Sequence, residues 1–490
     1  MTALAPFGER AWRFPLPASG DRGALLAALR ALEGVVDVVL AEEQGAVVLG
    51  ERTPADAVVP AVTRALAAAP RLARATPGAT HVIHVAYDGD DLAPLADRLG
   101  LSSEALVALH SGPEYDVAII GFMPGFAYLR GLDPRLVVPR RDSPRTRVPA
   151  RSVAIAAGYT GVYPFASPGG WHLLGEAIGF TPFDKSGAAL AVGDRVRFEA
   201  IARGAAGAEA EPVAAQPLVP MTQGAWLEVR AARGPALLMD GGRIGRMHEG
   251  VPHGGPMVRD ALARANAAVG NLGGACGIEL YGGLELVARD GRVLVADDRH
   301  AARVLEDGEA LAVGLEGERV RYVAVAGGFD VPQVLGGRGT MLAARLGGLE
   351  GRALKRGDRL PLSPIPTHAP APAPMPAPAP ALLTALIDVI AGPDADPAEL
   401  HDLTFTIAPA SDRTGTRLEG PLSPLRSARD RRSLPMVRGA IERTPSGLIV
   451  LGPDHPTTGG YPVIAVLCEA AMDRFFACPI GQRVRLRVRT

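Results

Sequence analysis

The chain has 490 residues, with 51 Lys and Arg against 52 Asp and Glu, so its net charge is close to zero. This balance argues against a nucleic-acid-binding protein, which needs an excess of positive charge. The length predicts roughly three domains of about 150 residues each. Three scattered cysteines form neither a disulfide framework nor a CxxC metal site, so no metal is expected.

The N-terminal sequence MTALAPFGERAWRFPLP lacks the apolar core of a signal peptide. No apolar run reaches the length of a membrane span. We therefore expect a soluble cytoplasmic protein that does not bind membranes.

The chain divides at shifts in composition. Residues 1–87 show the order β-α-β-β-α-β, which is typical of a ferredoxin-like α+β unit. The remaining chain is mainly β, with short strands and glycine turns. We predict a first β domain, a linker of sequence RGAAGAEAEPVAAQP, a second β domain, a Pro/Ala-rich extended spacer and a last β domain, at residues 88–202, 203–217, 218–362, 363–380 and 381–490.

A weak internal repeat marks the ends of these β domains. The sequences VGDRVRF, RGDRLPL and IGQRVRL, starting at Val192, Arg356 and Ile480, each place a glycine turn before alternating apolar residues. The pattern predicts three related barrel-like units, each finished by the same strand. The alternative is coincidence, because glycine turns before strands are common.

The stretch from Ile119 to Gly175 is dense in Gly, Pro, aromatic residues and arginine. Gly and Pro at this density build turns and let a backbone approach a ligand closely. Aromatic residues beside arginines suit a planar or anionic small molecule. A loop-rich β domain whose turns need Gly and Pro is the structural alternative.

The common catalytic signatures GxxxxGK[ST], HExxH and GxSxG are absent. Six glycine-flanked polar clusters remain, and they suggest loops gathered around shared clefts. His172, Asp240, Asp412 and His455 are the candidate proton-transfer groups. The candidate anion-binding residues are Arg140, Arg145, Arg243, Arg338 and Arg413.

Several motifs resemble a known enzyme family. GFMPGFAYL, PRR..PR, VP..SVAIA and SPGGW resemble the B component of bacterial 5-oxoprolinase. GR.G...GVP, AN..VGN, VPQVLGGRGT, SDR.G.RLEG and TTGGYP resemble its C component. The two modules also resemble the carboxyltransferase region of urea carboxylase. The resemblance covers about residues 1–205 and 218–490.

The resemblance implies cyclophilin-like β-barrels, one in the first module and two in the second. It also implies ATP-dependent hydrolysis of 5-oxoproline, a small cyclic amide, to glutamate, together with a separate A-type subunit. ATP enters this expectation through the family, since the chain has no phosphate-binding loop. No Met-Lys-Met occurs, so no covalent biotin site is expected.

Some positions depart from the family pattern. His172 stands where Gln is usual, Glu176 and Arg151 replace Arg and Gly, and Val258 replaces an aspartate. Gly337 and Gly339 replace two serines, and Pro456 replaces Gln. These changes remove hydrogen-bonding groups that a polar substrate would use.

We expect two clefts. The first lies in the first module, between the Phe122–Tyr128 loop, the Arg140–Arg145 run and the Ser167–His172 loop. The second lies in the C-terminal module and gathers Asp240, Arg243, Arg338, Asp412, Arg413 and Thr457–Tyr461. The predicted catalytic residues are His172, Asp240 and Asp412, and the predicted substrate-binding residues are Phe126, Tyr128, Arg140, Arg145, Gly169, Gly170, Trp171, Arg243, Arg338, Thr340, Arg413, Thr457, Thr458, Gly459 and Tyr461.

Two further functions stay open at this stage. The chain could transfer a carboxyl group to a urea-like substrate, with a biotin carrier and a carboxylase supplied by other polypeptides. It could also be a non-catalytic protein that regulates a kinase, because some relatives of the two modules are a kinase inhibitor and its antagonist.

Overall fold

The computed structural model describes residues 4–72, 78–184, 187–203, 224–365, 384–394, 400, 403–422 and 432–489. The predicted linker from residue 204 and the predicted spacer from residue 366 lie outside these ranges. No helix among the described residues is long and apolar enough to cross a membrane.

The N-terminal unit is a four-stranded sheet with two helices. Its elements are β1 (Ala5–Pro6), β2 (Ala11–Pro15), α1 (Arg22–Arg30), β3 (Val35–Leu40), β4 (Gln44–Leu49) and α2 (Ala55–Ala68), with the sheet order β1-β2-β4-β3. Alternating side chains divide between two cores. Val38 and Val47 join the core of the first barrel, whereas Val39 and Val48 pack against the C-terminal barrel.

The predicted sixth element of this unit belongs elsewhere. We expected the strand near His81 to complete the ferredoxin-like sheet, but it pairs in parallel with the last strand of the first barrel, from Thr80 opposite Arg195 to Val85 opposite Ala200. The short strand β1 instead occupies the edge of the small sheet beside β2. The sequence pattern indicated a strand but not its partner.

The first barrel is a closed ring of seven strands. Its elements are β5 (Thr80–Ala86), α3 (Leu92–Leu99), α4 (Ser103–Ser111), β6 (Glu114–Ile120), β7 (Ala127–Arg130), β8 (Arg145–Val148), β9 (Ser152–Ala156), β10 (Tyr159–Val162), β11 (Ser167–Gly169), β12 (His172–Ala177) and β13 (Arg195–Ala200). The ring order is β10-β7-β6-β13-β5-β12-β9, and β8 pairs with β11 outside it.

The middle unit folds as two facing sheets around one core. Its elements are β14 (Trp226–Arg233), β15 (Ala236–Met239), α5 (Arg259–Ala268), β16 (Gly277–Leu280), β17 (Gly283–Arg289), β18 (Val293–Asp297), β19 (Arg303–Leu305), β20 (Ala310–Val313), β21 (Arg321–Val325) and β22 (Arg359–Pro361). The sheets β20-β17-β14-β22 and β15-β16-β21-β18-β19 share a core that includes Leu227, Ile278 and Val323.

The C-terminal barrel is again a closed ring of seven strands. Its elements are β23 (Thr384–Ala391), β24 (Thr404–Ile407), β25 (Gly415–Glu419), β26 (Leu434–Pro435), β27 (Ala440–Thr444), β28 (Gly447–Leu451), β29 (Thr458–Gly459), β30 (Val463–Leu467), α6 (Glu469–Ala477) and β31 (Arg483–Arg489). The ring order is β23-β30-β27-β28-β25-β24-β31, and β26 pairs with β29.

The two closed barrels share one topology, which explains the repeat in the sequence. In each, the last strand pairs in parallel with the first, as β13 with β5 and β31 with β23. In the middle unit β22 also pairs with the first strand, β14, but antiparallel. The prediction of a mainly β chain with barrels and a small α+β unit is confirmed. Two barrels are closed, whereas the described strands of the middle unit form two separate sheets.

An aspartate follows the first strand of each closed barrel. Asp91 accepts a hydrogen bond from the Leu173 amide (2.7 Å), and Asp394 accepts one from the Val463 amide (2.9 Å). Asp394 also binds Arg13 of the N-terminal unit through two hydrogen bonds (2.5 and 3.0 Å). The small N-terminal sheet is therefore fixed to the C-terminal barrel by charge as well as by apolar packing.

Arg413 joins the middle unit to the C-terminal barrel. Its guanidinium forms two hydrogen bonds with Asp454 (2.7 and 2.9 Å), one with the Gly255 carbonyl (2.8 Å) and one with Glu279. Burial opposes its charge, but Asp454 and Glu279 outweigh burial and raise the pKa of Arg413. The guanidinium therefore remains fully ionised at neutral pH.

We predict that Arg413→Gln destabilises the protein by about 3–5 kcal/mol, because it leaves two buried carboxylates without their cation. Urea unfolding monitored by Trp fluorescence measures this loss. Arg417→Gln on the neighbouring strand β25 is the matched control, since the Arg417 side chain bonds an exposed serine, Ser446 (2.9 Å). Equal stability of the two variants would contradict the central role of Arg413.

Candidate functional site

The loop between β6 and β7 has a strained turn at its tip. Phe122 has a φ of 67°, a left-handed conformation that a bulky residue rarely adopts. The amide of Met123 donates to the Gly121 carbonyl (2.8 Å), which closes a three-residue turn around Phe122. Backbone strain of this kind clusters at functional sites, and here it presents the Phe122 ring, which is 37% exposed.

Behind Phe122 lies an aromatic cluster formed by Phe122, Phe126, Tyr128, Tyr163 and Trp171. Phe126 contacts the other four rings edge-on, at centroid distances between 4.9 and 5.6 Å. Apart from Phe122, these side chains are buried. The aromatic cluster is therefore a rigid wall, and the ring of Phe122 is its accessible edge.

Both tyrosines of the aromatic cluster keep their protons at neutral pH. Burial raises the pKa of Tyr163 to about 12, although the Trp171 amide and the charges of Arg140 and Arg145 oppose the rise. Burial also raises the pKa of Tyr128. The two hydroxyl groups thus remain neutral.

The arginines of the Arg140–Arg145 run have different roles. Arg141 and Arg145 both donate to Asp91 Oδ1 (2.8 Å each). Burial opposes ionisation of Asp91, but the hydrogen bonds and charges of its partners outweigh it and lower the pKa of Asp91. Arg145 therefore holds the loop in place through Nη2. Its Nη1 has no hydrogen-bond partner among the described residues, so its role in substrate binding stays a prediction.

Arg140 is the arginine that remains available. It is exposed, and among the described residues it makes no ion pair, while its charge acts on the phenols of Tyr128 and Tyr163. Its Cβ lies close to Gly170, where an added Cβ would be 3.9 Å away. Arg140 thus stands at the aromatic cluster with its guanidinium uncommitted.

His172 supports this segment and is not placed for catalysis. Its Nε2 lies 3.0 Å from the Pro139 carbonyl, and the residue is 6% exposed. Burial lowers the pKa of His172. The neutral ring donates to the carbonyl that precedes Arg140, so the predicted proton-transfer role is replaced by a positioning role.

The first barrel meets the C-terminal barrel at Thr458. The Thr458 hydroxyl accepts from the Phe122 amide (2.9 Å), and Thr458 also opposes the rise that burial causes in the pKa of Tyr128. A Cβ on Gly121 would lie 2.2 Å from Thr458 Oγ1, so this approach requires glycine. The Phe122 loop of the first predicted cleft and the TTGGYP segment of the second therefore meet at one junction.

Two further positions near the aromatic cluster and Thr458 also require glycine for close approach. A Cβ on Gly169 would lie 2.4 Å from the Tyr163 hydroxyl, and one on Gly459 would lie 2.8 Å from Glu442 Oε1. These two glycines therefore shape the junction through their backbones. The other predicted binding residues of these two segments, which flank the glycines in the chain, are Gly170, Thr457 and Tyr461.

A third loop, from the middle unit, packs on the junction. The Gly125 amide donates to the Glu249 carbonyl (2.9 Å), and a Cβ on Gly250 would lie 2.7 Å from the Met123 carbonyl. This loop is anchored by the buried Asp37 carboxylate, which accepts from the amides of Gly245 and Met247 (2.8 Å each) and lies 2.5 Å from His253 Nε2.

The other predicted polar residues of the second cleft are structural. Asp240 accepts from the amides of Gly242, Arg338 and Gly339 (3.1, 2.6 and 3.0 Å). Arg243 is 2% exposed and donates to the carbonyls of Val334 and Gly339 (2.9 and 2.7 Å). Both side chains are occupied by the 334–340 loop, so their predicted catalytic and substrate-binding roles are not supported.

The remaining predictions for that cleft also change. The Arg338 side chain donates to the Val331 carbonyl, and Thr340 is buried against Gly348. Asp412 caps the turn before β25 by accepting from the amides of Thr414 and Gly415 (2.8 and 3.1 Å). Asp412 is exposed and its oxygen is used by the turn, so it is not placed to transfer protons at the junction.

The carboxylates that organise the site were not predicted from the sequence. Asp37, Asp91, Glu279 and Asp454 pair with backbone amides, arginine or histidine of another segment. Their arginine and histidine partners lie at least 41 residues away along the chain. The sequence does indicate that Glu442 is buried, since this residue directly follows apolar residues in the strand-like sequence GAIERT.

Glu442 is a buried carboxyl beside Gly459. It is 6% exposed, and its Oε1 has no hydrogen-bond partner among the described residues. Burial raises the pKa of Glu442 from 4.5 to about 7. The group is therefore largely protonated in mildly acidic solution and ionises near neutral pH.

We predict that Glu442→Gln stabilises the protein at pH 8 but not at pH 4. Between the unfolded and folded pKa values the folded state binds more protons, so the wild-type loses stability as the pH rises through this range. The raised pKa corresponds to about 3 kcal/mol at high pH, since one pKa unit is worth about 1.4 kcal/mol. Urea unfolding of both proteins across this range is the measurement. A stability difference that does not change with pH would refute the prediction.

Comparisons with known proteins agree with this architecture. The family described as "Carboxyltransferase domain, subdomain C and D" matches residues 3–190, and "Carboxyltransferase domain, subdomain A and B" matches residues 249–488. The junction described above thus joins a C/D part to an A/B part.

Curated relatives match the two parts. The B component of 5-oxoprolinase from Escherichia coli O157:H7 is 47% identical over 119 residues, which are 24% of this chain and 55% of that protein. The match therefore spans about half the length of that relative. The C component of 5-oxoprolinase from Escherichia coli K12 is 32% identical over 269 residues, which are 50% of this chain and 86% of that protein.

The crystal structure of TTHA0988 is similar throughout, with a TM-score of 0.83, 30% identity and coverage of 98% of this chain and 100% of that chain. One solved chain therefore combines both parts in the arrangement described above. On this evidence the chain belongs to the carboxyltransferase-domain family, as a fusion of a module like the B component of 5-oxoprolinase and a module like its C component.

Proposed function

We propose that this chain is the B/C component of a 5-oxoprolinase-type amidohydrolase, which hydrolyses 5-oxoproline to glutamate with cleavage of ATP. The relatives are named as subunits, which supports a separate A-type subunit as an obligatory partner. The chain alone is then inactive.

One observation carries the choice of substrate class. Arg140 makes no ion pair among the described residues, its Cβ lies near Gly170, and its charge acts on Tyr128 and Tyr163 of the aromatic cluster. 5-Oxoproline is a small ring with a carboxylate, so the carboxylate would pair with Arg140 and the ring would pack on Phe122. The hydroxyl of Tyr128, neutral at working pH, would take part in hydrogen bonding with the lactam group.

We assign ATP to the partner subunit. Phosphate cradles need a series of free backbone amides. In this chain several backbone amides of the glycine loops already donate to carboxylates. The amides of Gly242 and Gly339 donate to Asp240, and that of Gly245 donates to Asp37. These occupied amides support placing ATP on the partner subunit, and no step on ATP is assigned to this chain.

The first test is reconstitution with purified A-type subunit. We expect 5-oxoproline-dependent phosphate release from the mixture and none from either protein alone. Turnover by this chain alone would refute the need for a partner. Failure of the mixture to turn over 5-oxoproline, with both proteins folded, would refute the substrate.

The second test is Arg140→Ala in the reconstituted enzyme. Loss of a hydrogen bond to a charged group costs about 1.5–3 kcal/mol, so kcat/KM for 5-oxoproline should fall roughly tenfold or more. Arg147→Ala is the matched control, because Arg147 is an exposed arginine on the neighbouring strand β8. If both variants lose activity equally, or neither does, Arg140 is not the carboxylate clamp.

Carboxyl transfer is the second candidate function. The family is described as a carboxyltransferase domain, which favours this chemistry over other enzyme classes. It would require a biotin carrier and a carboxylase on other polypeptides. Transfer of a carboxyl group from such a carrier to urea, without turnover of 5-oxoproline, would select it. Tight binding to a kinase without any turnover would select the regulatory alternative.

A further inference from the structure

A small cavity lies where the N-terminal unit, the middle unit and the C-terminal barrel meet. Its volume is about 60 Å³. The N-terminal unit contributes Phe7 and Val48, the middle unit contributes Met247 and His253, and the C-terminal barrel contributes Arg438 and His455. We call it the Arg438 cavity. It is distinct from the junction at Phe122 and Thr458.

Arg438 brings an incompletely paired cation to this cavity. The side chain is 8% exposed and lies over the Phe476 ring at 5.2 Å. Its Nη2 donates to the carbonyls of Pro256 and Met257 (3.2 and 2.8 Å). Its Nε and Nη1 are buried and have no hydrogen-bond partner among the described residues.

Glu9 and Glu469 line the cavity together with Arg10 and Arg259, and each of these carboxylates has a partner other than Arg438. Glu469 pairs with Arg259 (3.6 Å), and Glu9 accepts from the Glu469 amide (2.7 Å). Asp473 accepts from the amides of Arg259 and Asp260 (3.0 and 2.8 Å). No described carboxylate forms an ion pair with Arg438, although the charge of Asp473 opposes the lowering of its pKa by burial.

The histidines do not supply a counter-charge either. His455 Nδ1 lies 2.9 Å from the Pro456 carbonyl, and burial lowers the pKa of His455 to about 4, so its ring is neutral. His253 is paired with Asp37. Burial lowers the pKa of Arg438 to about 10, which still leaves it charged at neutral pH.

A buried charge is stable when it is paired with an opposite charge or fully hydrogen-bonded. We propose that the Arg438 cavity binds a small oxyanion, a group the size of a carboxylate, carbonate or phosphate, attracted by the charge of the Arg438 guanidinium. A cavity needs a volume of about 10–15 Å³ to hold a single water. The cavity volume of about 60 Å³ therefore admits a group of a few heavy atoms and excludes a nucleotide. The site stands whether or not the chain acts on 5-oxoproline.

Calorimetric titration of the full chain tests the proposal. The titrants are sodium phosphate, bicarbonate and acetate, each compared with chloride at equal ionic strength, so the three oxyanions are distinguished from one another. We expect saturable binding of at least one oxyanion to the wild-type chain. Arg438→Gln should weaken its Kd at least tenfold. Arg359→Gln should leave Kd unchanged, because Arg359 also lies over an aromatic ring (Trp226, 5.1 Å) but lines no part of this cavity.

Two results would overturn the proposal. One is an oxyanion response no larger than that to chloride, and the other is equal binding by wild-type and Arg438→Gln, which would mean an adventitious ion only. If Arg438→Gln does not fold, crystals of the wild-type chain soaked in selenate decide the question by anomalous scattering. A selenium peak beside Arg438 supports the site, and its absence from this cavity at saturating selenate refutes it.

Discussion

The buried guanidinium of Arg413 is the interaction on which the candidate site depends. It binds Asp454 of its own barrel, and Glu279 and the Gly255 carbonyl of the middle unit. Asp454 lies shortly before Thr458 in the chain, so the same contact fixes the segment that reaches the Phe122 loop. Because the side chains of both carboxylates are buried, solvent does not replace the arginine.

Carboxylates accept hydrogen bonds from backbone amides of the glycine-rich loops. Such loops leave many backbone amides outside regular strands, and each buried amide needs an acceptor. Asp37 and Asp240 supply acceptors at two such loops, and Asp394 supplies one to the first residue of β30. This is why polar residues in glycine clusters look catalytic in the sequence yet serve the backbone in the structure.

Patterns within about twenty residues predicted much of the fold. The glycine turn before an alternating strand marked the closing strands β13, β22 and β31, because the turn and the alternation are local properties. The partner of a strand is not local, and so β5 was assigned to the wrong sheet. The same limit applies to the candidate site, because the partner of a side chain is not a local property either. Nothing near Arg140 and Arg145 distinguishes them, because Asp91, which binds Arg145, lies 54 residues earlier.

The central claim is that the two modules build one site. Amide hydrogen exchange tests this claim most directly, measured on the chain with and without the A-type subunit and 5-oxoproline. We expect slower exchange in peptides covering residues 119–128 and 454–461 together, on addition of substrate to the complex. These segments are linked by the contact between Phe122 and Thr458. Protection of one segment without the other, or of neither, would contradict a shared site.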